Sequence, residues 1–177
     1  MKTKKHFLSG LSDIFQLDRV SLNSMLIAIA SIVVNVLLAW VISIFDLPLY
    51  LDTAGTVAVS FVCGVFPGMV TALVTNLLIG ILVSTMSVYY AIVNIAVAIC
   101  AGVFASKGII KKRGGYVALV AALAVIGGLS GAFIEWMLHD DPAIGKVYDL
   151  SDSLAKAMGT SGLPAFILIN LAINLAD

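Results

Sequence analysis

Apolar side chains run almost unbroken through this chain, and the polar ones fall in short clusters that cut the run into segments. A bilayer core about 30 Å thick takes roughly 20 apolar residues of helix at 1.5 Å rise per residue. From Leu22 to Phe45 the only strongly polar side chain is Asn35, which predicts a first membrane span. Leu47 to Phe66 predicts a second, interrupted near its start by Asp52-Thr-Ala-Gly-Thr56 and closed by Pro67-Gly68, a turn dipeptide. Gly68 to Ser84, Ser87 to Ala105 and Tyr116 to Leu138 predict three more, with the polar stretch from Lys107 to Gly115 between the last two. A sixth begins near Gly162 and stops at the Asp177 carboxylate rather than at a basic anchor, so the last helix is expected to be truncated and the chain to continue. The expected fold class is therefore an all-α integral membrane protein, a six-helix transmembrane bundle over residues 21–177.

Residues 1–20 read differently. Phe7, Leu8, Leu11, Ile14 and Phe15 recur at helical spacing, while Lys4, Lys5, Asp13 and Asp18 fall elsewhere. That pattern predicts a short amphipathic helix lying on the cytoplasmic leaflet. A full-length span follows it, not a short apolar stretch with a small-residue cleavage site, so it is not read as a signal peptide.

Composition agrees with the spans. Hydrophobic residues make up 61% of the 177 and charged ones 11%, with mean hydropathy +1.11, against roughly 45–50% and about 25% in soluble domains. Ten Lys+Arg balance ten Asp+Glu, leaving no basic excess for a phosphate backbone. Lys2, Lys4, Lys5 and Arg19 precede the first span, and Lys107, Lys111, Lys112 and Arg113 follow the fourth. Alternating spans put these eight basic residues on one side, which makes that side, and the N-terminus, cytoplasmic. The opposite side receives Asp46, the turn His139-Asp-Asp-Pro142 and a long polar loop through Asp149, Asp152 and Ser161.

Polar side chains inside a bilayer are costly and usually face the bundle interior or a wet cavity. Those that stand out are Asn35, Asp52, Thr53, Asn76, Tyr90, Asn94, Glu135, Asn170, Asn174 and Asp177. Glu135 has Gly131, Gly128, Gly127 and Ala124 beneath it on its helix face, where small residues admit a close neighbour. It either faces that neighbour or snorkels to water beside Trp136. Asp52 suits a helix start as a cap, and equally an outward-facing cavity. Tyr90 and Asn94, at i and i+4, are the better pocket pair, although Tyr89 and Tyr90 also fit an interfacial aromatic belt. Asn170, Asn174 and Asp177 form one stripe, read either as a hydrogen-bonded helix seam or as a pocket wall. Asn35 and Asn76 read as structural. Ser24 and Ala28 give a small-residue pair for helix packing. Asp52, Tyr90, Asn94 and Glu135 all fall in the outer halves of their helices and are expected to converge there.

No catalytic pattern stands out: G-x-S-x-G, H-E-x-x-H and a P-loop are all missing from the sequence, and the topology separates His6 from His139. Cys63 and Cys100 sit in apolar runs with no metal-ligand spacing. A non-enzymatic protein with no cofactor is expected.

The run Leu47-Pro-Leu-Tyr-Leu-Asp-Thr-Ala-Gly-Thr56, then Cys63-Gly-Val-Phe-Pro-Gly68, Ala72-Leu-Val-Thr-Asn-Leu-Leu78 and Tyr90-Ala-Ile-Val-Asn94, resembles the substrate-binding S components of energy-coupling factor (ECF) transporters, in the group with a Leu-Asp-Thr-x-Gly-Thr motif. The resemblance covers residues 22 to 177. It implies a membrane bundle in the bacterial cytoplasmic membrane that captures a vitamin-like micronutrient at the outer face, under a lid formed by residues 45–51. It also implies that Asp52, Asn94 and Glu135 lie at or near the cavity; Thr53, Tyr90 and Asn170 join the candidate substrate-binding set as polar side chains of the spans. The partners implied are a transmembrane coupling subunit and two ATPases, docked through the first helix. There Ser24-x-x-x-Ala28 stands where many S components have Ala-x-x-x-Ala. A second class stays open on the same resemblance: a ligand-sensing input domain of a bacterial signalling protein such as a sensor kinase.

Overall fold

The computed structural model describes residues 21–45, 47, 49–138, 146–159 and 162–176. The amphipathic segment 1–20, Asp46, the His139–Pro142 turn and Asp177 lie outside the described residues. Within them the chain is all-helical: α1 (Leu22–Phe45), a 3-10 turn (Leu51–Thr53), α2 (Ala54–Val62), α3 (Val65–Leu82), α4 (Ser87–Ser106), a second 3-10 turn (Ile109–Lys111), α5 (Gly115–Met137), α6 (Lys146–Met158) and α7 (Gly162–Ala176). Four helices, α1, α3, α4 and α5, are long and apolar enough to cross a membrane. The stretch Leu51–Val62 and α7 are apolar but shorter.

Helix α1 starts where Ser21 accepts the Ser24 amide on its hydroxyl at 3.2 Å, an N-cap on an otherwise apolar run. Its one buried residue is Asn35, which fixes how the helix sits. The Asn35 amide donates to Thr56 Oγ1 at 3.2 Å and Thr75 Oγ1 at 3.4 Å, and its Oδ1 accepts the Gly55 amide at 2.7 Å. One side chain thus ties α1 to α2 and α3. Asn76 has the structural place read for it, donating to the Ala72 carbonyl at 2.8 Å.

The break between the second and third helices differs from the expected one. Pro67-Gly68 does not end a span; it lies in the first turn of α3, where Gly68 donates to the Gly64 carbonyl at 3.2 Å. Proline is tolerated in a first helical turn because those amides lack partners anyway. The reversal falls at Gly64, whose φ of 99° is open to glycine and strained for other residues. Gly68 serves packing instead: a Cβ there would collide with Ser60 of α2.

A second difference is α6, in the region read as a long polar loop. Ser151 and Ala155, one turn apart, are its buried residues, and Tyr148 stacks against Phe166 of α7 with ring centroids 5.2 Å apart. Asp149 in the first turn and Lys156 in the last complement the helix dipole, and Asp152 pairs with Lys156 at 2.6 Å. Polar composition disguised an amphipathic helix.

Helices α5 and α7 pack closely along most of their shared length. Gly127 and Gly128 are adjacent and Gly131 follows about one turn on, and Cβ atoms on them would meet Asn174, Leu171 and Asn170 respectively. The small face beneath Glu135 therefore receives a helix of this same chain.

Candidate functional site

Four separate pieces of the chain meet around Glu135. The segment leading into α2 brings Tyr50 and Asp52, α4 brings Tyr90 and Asn94, α5 brings Glu135, and α7 brings Asn170. Gly131 lies one turn below Glu135, and its missing side chain leaves space that Asn170 and Tyr90 occupy. The carboxylate is thereby reached from three sides. Tyr50 donates its hydroxyl to Glu135 Oε1 at 2.7 Å, Tyr90 to the same oxygen at 3.2 Å, and Asn170 Nδ2 to Oε2 at 2.8 Å. Tyr50 also donates to Asn170 Oδ1 at 3.3 Å, and Asn170 in turn donates to the Phe166 carbonyl at 3.0 Å. Glu135 is 4% exposed. It does not snorkel, whereas its neighbour Trp136 is 46% exposed.

Beside this cluster Asn94 donates to Asp52 Oδ2 at 3.4 Å. Asp52 occupies the middle of the 3-10 turn, and the cap positions at Tyr50 and Thr53 carry no side-chain cap bond. Its carboxylate thus reaches across to α4. Thr53 Oγ1 donates to the Tyr50 carbonyl at 3.5 Å. The Tyr50 and Tyr90 rings are 5.8 Å apart and tilted by 32°. The adjacent pair Tyr89 and Tyr90 divides: Tyr89 is 51% exposed and Tyr90 turns inward.

These groups wall a cavity of about 1030 Å³. Asp52, Thr53, Tyr90, Asn94 and Glu135 all line it, so the structure brings together five of the residues singled out in the sequence. Asn170 stands behind Glu135 as its hydrogen-bond partner. Asn174, for which the sequence leaves a helix seam and a pocket wall open, donates to the Asn170 carbonyl at 2.9 Å and also lines the cavity. The rest of the wall is largely apolar, with Val57, Phe61, Val93, Val97, Leu119 and Leu123 prominent.

No protein family, no characterised protein and no solved structure matches this chain.

Sequence reasoning missed Tyr50 as a site residue, placing it only within the lid segment. Its signal was present: an aromatic with a polar tip two residues ahead of Asp52, in a short link between apolar helices. Ser24 and Ala28 are not at the site. Both are half-buried and share a face of α1 with Ser31 and Asn35, the face turned toward α2 and α3. Among the described residues no group of three His, Cys, Asp or Glu is arranged to hold a metal ion. What the cavity offers is two carboxylates, carboxamides, tyrosine hydroxyls and a pair of aromatic faces within an apolar shell.

Proposed function

We infer that this chain is the membrane-embedded binding subunit of an importer of the energy-coupling factor kind. In this reading α1 to α5 and α7 form a six-helix transmembrane bundle in the bacterial cytoplasmic membrane, with the N-terminus cytoplasmic. The two shorter helices are accommodated by local thinning of the bilayer and by packing inside the bundle. A vitamin-like micronutrient enters from outside, and the loaded bundle docks on a transmembrane coupling subunit that two ATPases drive.

The observation that carries the reading is the cavity itself. Its volume lies at the upper end of the range typical of small-molecule sites, about 300–1,000 Å³. Its polar groups cluster where the α1–α2 link meets α4, α5 and α7. Tyr50 bonds that link to Glu135 and Asn170, as a closed lid would.

The test is affinity capture of the tagged chain from its native membranes. A membrane coupling protein and two ATPases should copurify, and a tagged chain that recovers neither rejects the importer reading. Capture without ATPases, from a gene that continues into a kinase or phosphatase domain, would move the same cavity into a sensor.

A further inference from the structure

Resting on the reading of this cavity as a small-molecule site, the geometry points to an organic cation as its ligand: an ammonium or similar centre that sits against Glu135 and the faces of Tyr50 and Tyr90, with an apolar body along the valine and leucine wall.

Three observations lead there. First, among the described residues every partner of the Glu135 carboxylate is neutral: two phenols and one carboxamide. A carboxylate withdrawn from water is costly to leave without an opposite charge, and neutral donors offset only part of that cost. Second, the acceptor capacity of the group is not used up. A carboxylate has about four lone-pair positions. Tyr50 and Tyr90 both occupy Oε1, and Asn170 occupies Oε2, which leaves one position on Oε2 for a further donor. Third, no Lys, Arg or His stands among the described residues lining the cavity, while Asp52 adds a second carboxylate to the same wall.

The aromatic pair strengthens the case on separate grounds. Ring faces attract cations within about 6 Å, and the two tilted rings, 5.8 Å apart, reach one oxygen of the carboxylate through their hydroxyls. An anionic ligand would meet two carboxylates and the negative faces of two rings. A bare metal ion is disfavoured by the donor set, since no group of three ligating side chains converges among the described residues. An ammonium on an apolar frame satisfies the carboxylate, the rings and the aliphatic wall together.

The full chain in lipid nanodiscs is titrated with three probes on one skeleton: tryptamine, tryptophol and indole-3-propionate. Tryptamine should bind at least about tenfold tighter than either of the others. In Glu135→Gln that preference should fall below about twofold while tryptophol binds as before, which shows the cavity intact. If Glu135→Gln fails to fold, Tyr50→Leu should cut the advantage of tryptamine over tryptophol by about two- to fivefold. Equal or tighter binding of tryptophol or indole-3-propionate overturns the cation assignment and leaves the small-molecule reading standing. A cation preference that survives both substitutions overturns the assignment to this cluster. Absence of binding by all three probes up to millimolar concentration refutes the cation inference and the cavity reading together.

Discussion

Removing the Tyr50 hydroxyl tests whether the α1–α2 link is latched to the bundle. In Tyr50→Phe the ring stays and its contact with Tyr90 is kept, but Glu135 Oε1 loses its shortest donor, at 2.7 Å, and Asn170 loses a 3.3 Å contact. Hydrogen bonds to a charged partner contribute about 1.5–3 kcal/mol. Glu135 keeps Tyr90 and Asn170, so the lower part of that range applies, and about 2 kcal/mol is expected. Since 1.36 kcal/mol is tenfold in population, the open form of the link should rise by roughly 30-fold. Leu49, half-buried in the link next to Tyr50, reports it. A Leu49→Cys protein, with Cys63 and Cys100 replaced by Ala, is labelled with a membrane-impermeant maleimide. Its rate follows the open fraction when closing outpaces labelling. A rate that changes less than twofold in Tyr50→Phe would refute the latch. So would an equal increase on adding Tyr50→Phe to Glu135→Gln, because coupled groups must not act independently.

Asn35→Ala should destabilise the bundle by about 1–3 kcal/mol, because it leaves the Gly55 amide without its acceptor inside the protein; thermal unfolding in nanodiscs measures this, and an unchanged midpoint would show that the three-helix tie carries no weight. The topology predicts that a cysteine at Ser153 is labelled from outside the cell and one at Gly108 is not, and labelling of Gly108 alone would invert the orientation.

Long apolar periodicity reveals helices well: α1 runs from Leu22 to Phe45 as the sequence reads, and α4 and α5 differ from their expected bounds by a residue or so. Punctuation is harder. Pro67-Gly68 has the composition of a turn, yet a proline inside the first turn of α3 loses no hydrogen bond, and the reversal falls at Gly64. Helix α6 was hidden by its serines and aspartates, because its burial is confined to a narrow seam against α7. For the site, depth along each helix was enough to pick out Tyr90, Asn94 and Glu135, since intramembrane polar groups have few places to go. Tyr50 was not legible in the same way. Its reach to Glu135 depends on how the link folds back over α5 and α7, and only tertiary structure supplies that.

The glycine face of α5 has a mechanical consequence. Gly128 lies against the Leu171 backbone, while Gly127 and Gly131 leave room for the carboxamide ends of Asn174 and Asn170, so little compliant material separates the two helices. Close-packed interiors of this kind transmit displacement instead of absorbing it. Glu135 and Asn170 therefore travel as one stiff jaw. The opposing jaw is the link carrying Tyr50 and Asp52, in which Tyr50 bonds to that body and Asp52 to Asn94 of α4, and whose described residues Leu47, Leu49 and Tyr50 lie outside any helix. A displacement of the link alone would therefore leave the half of the site that bears Glu135 in its present shape.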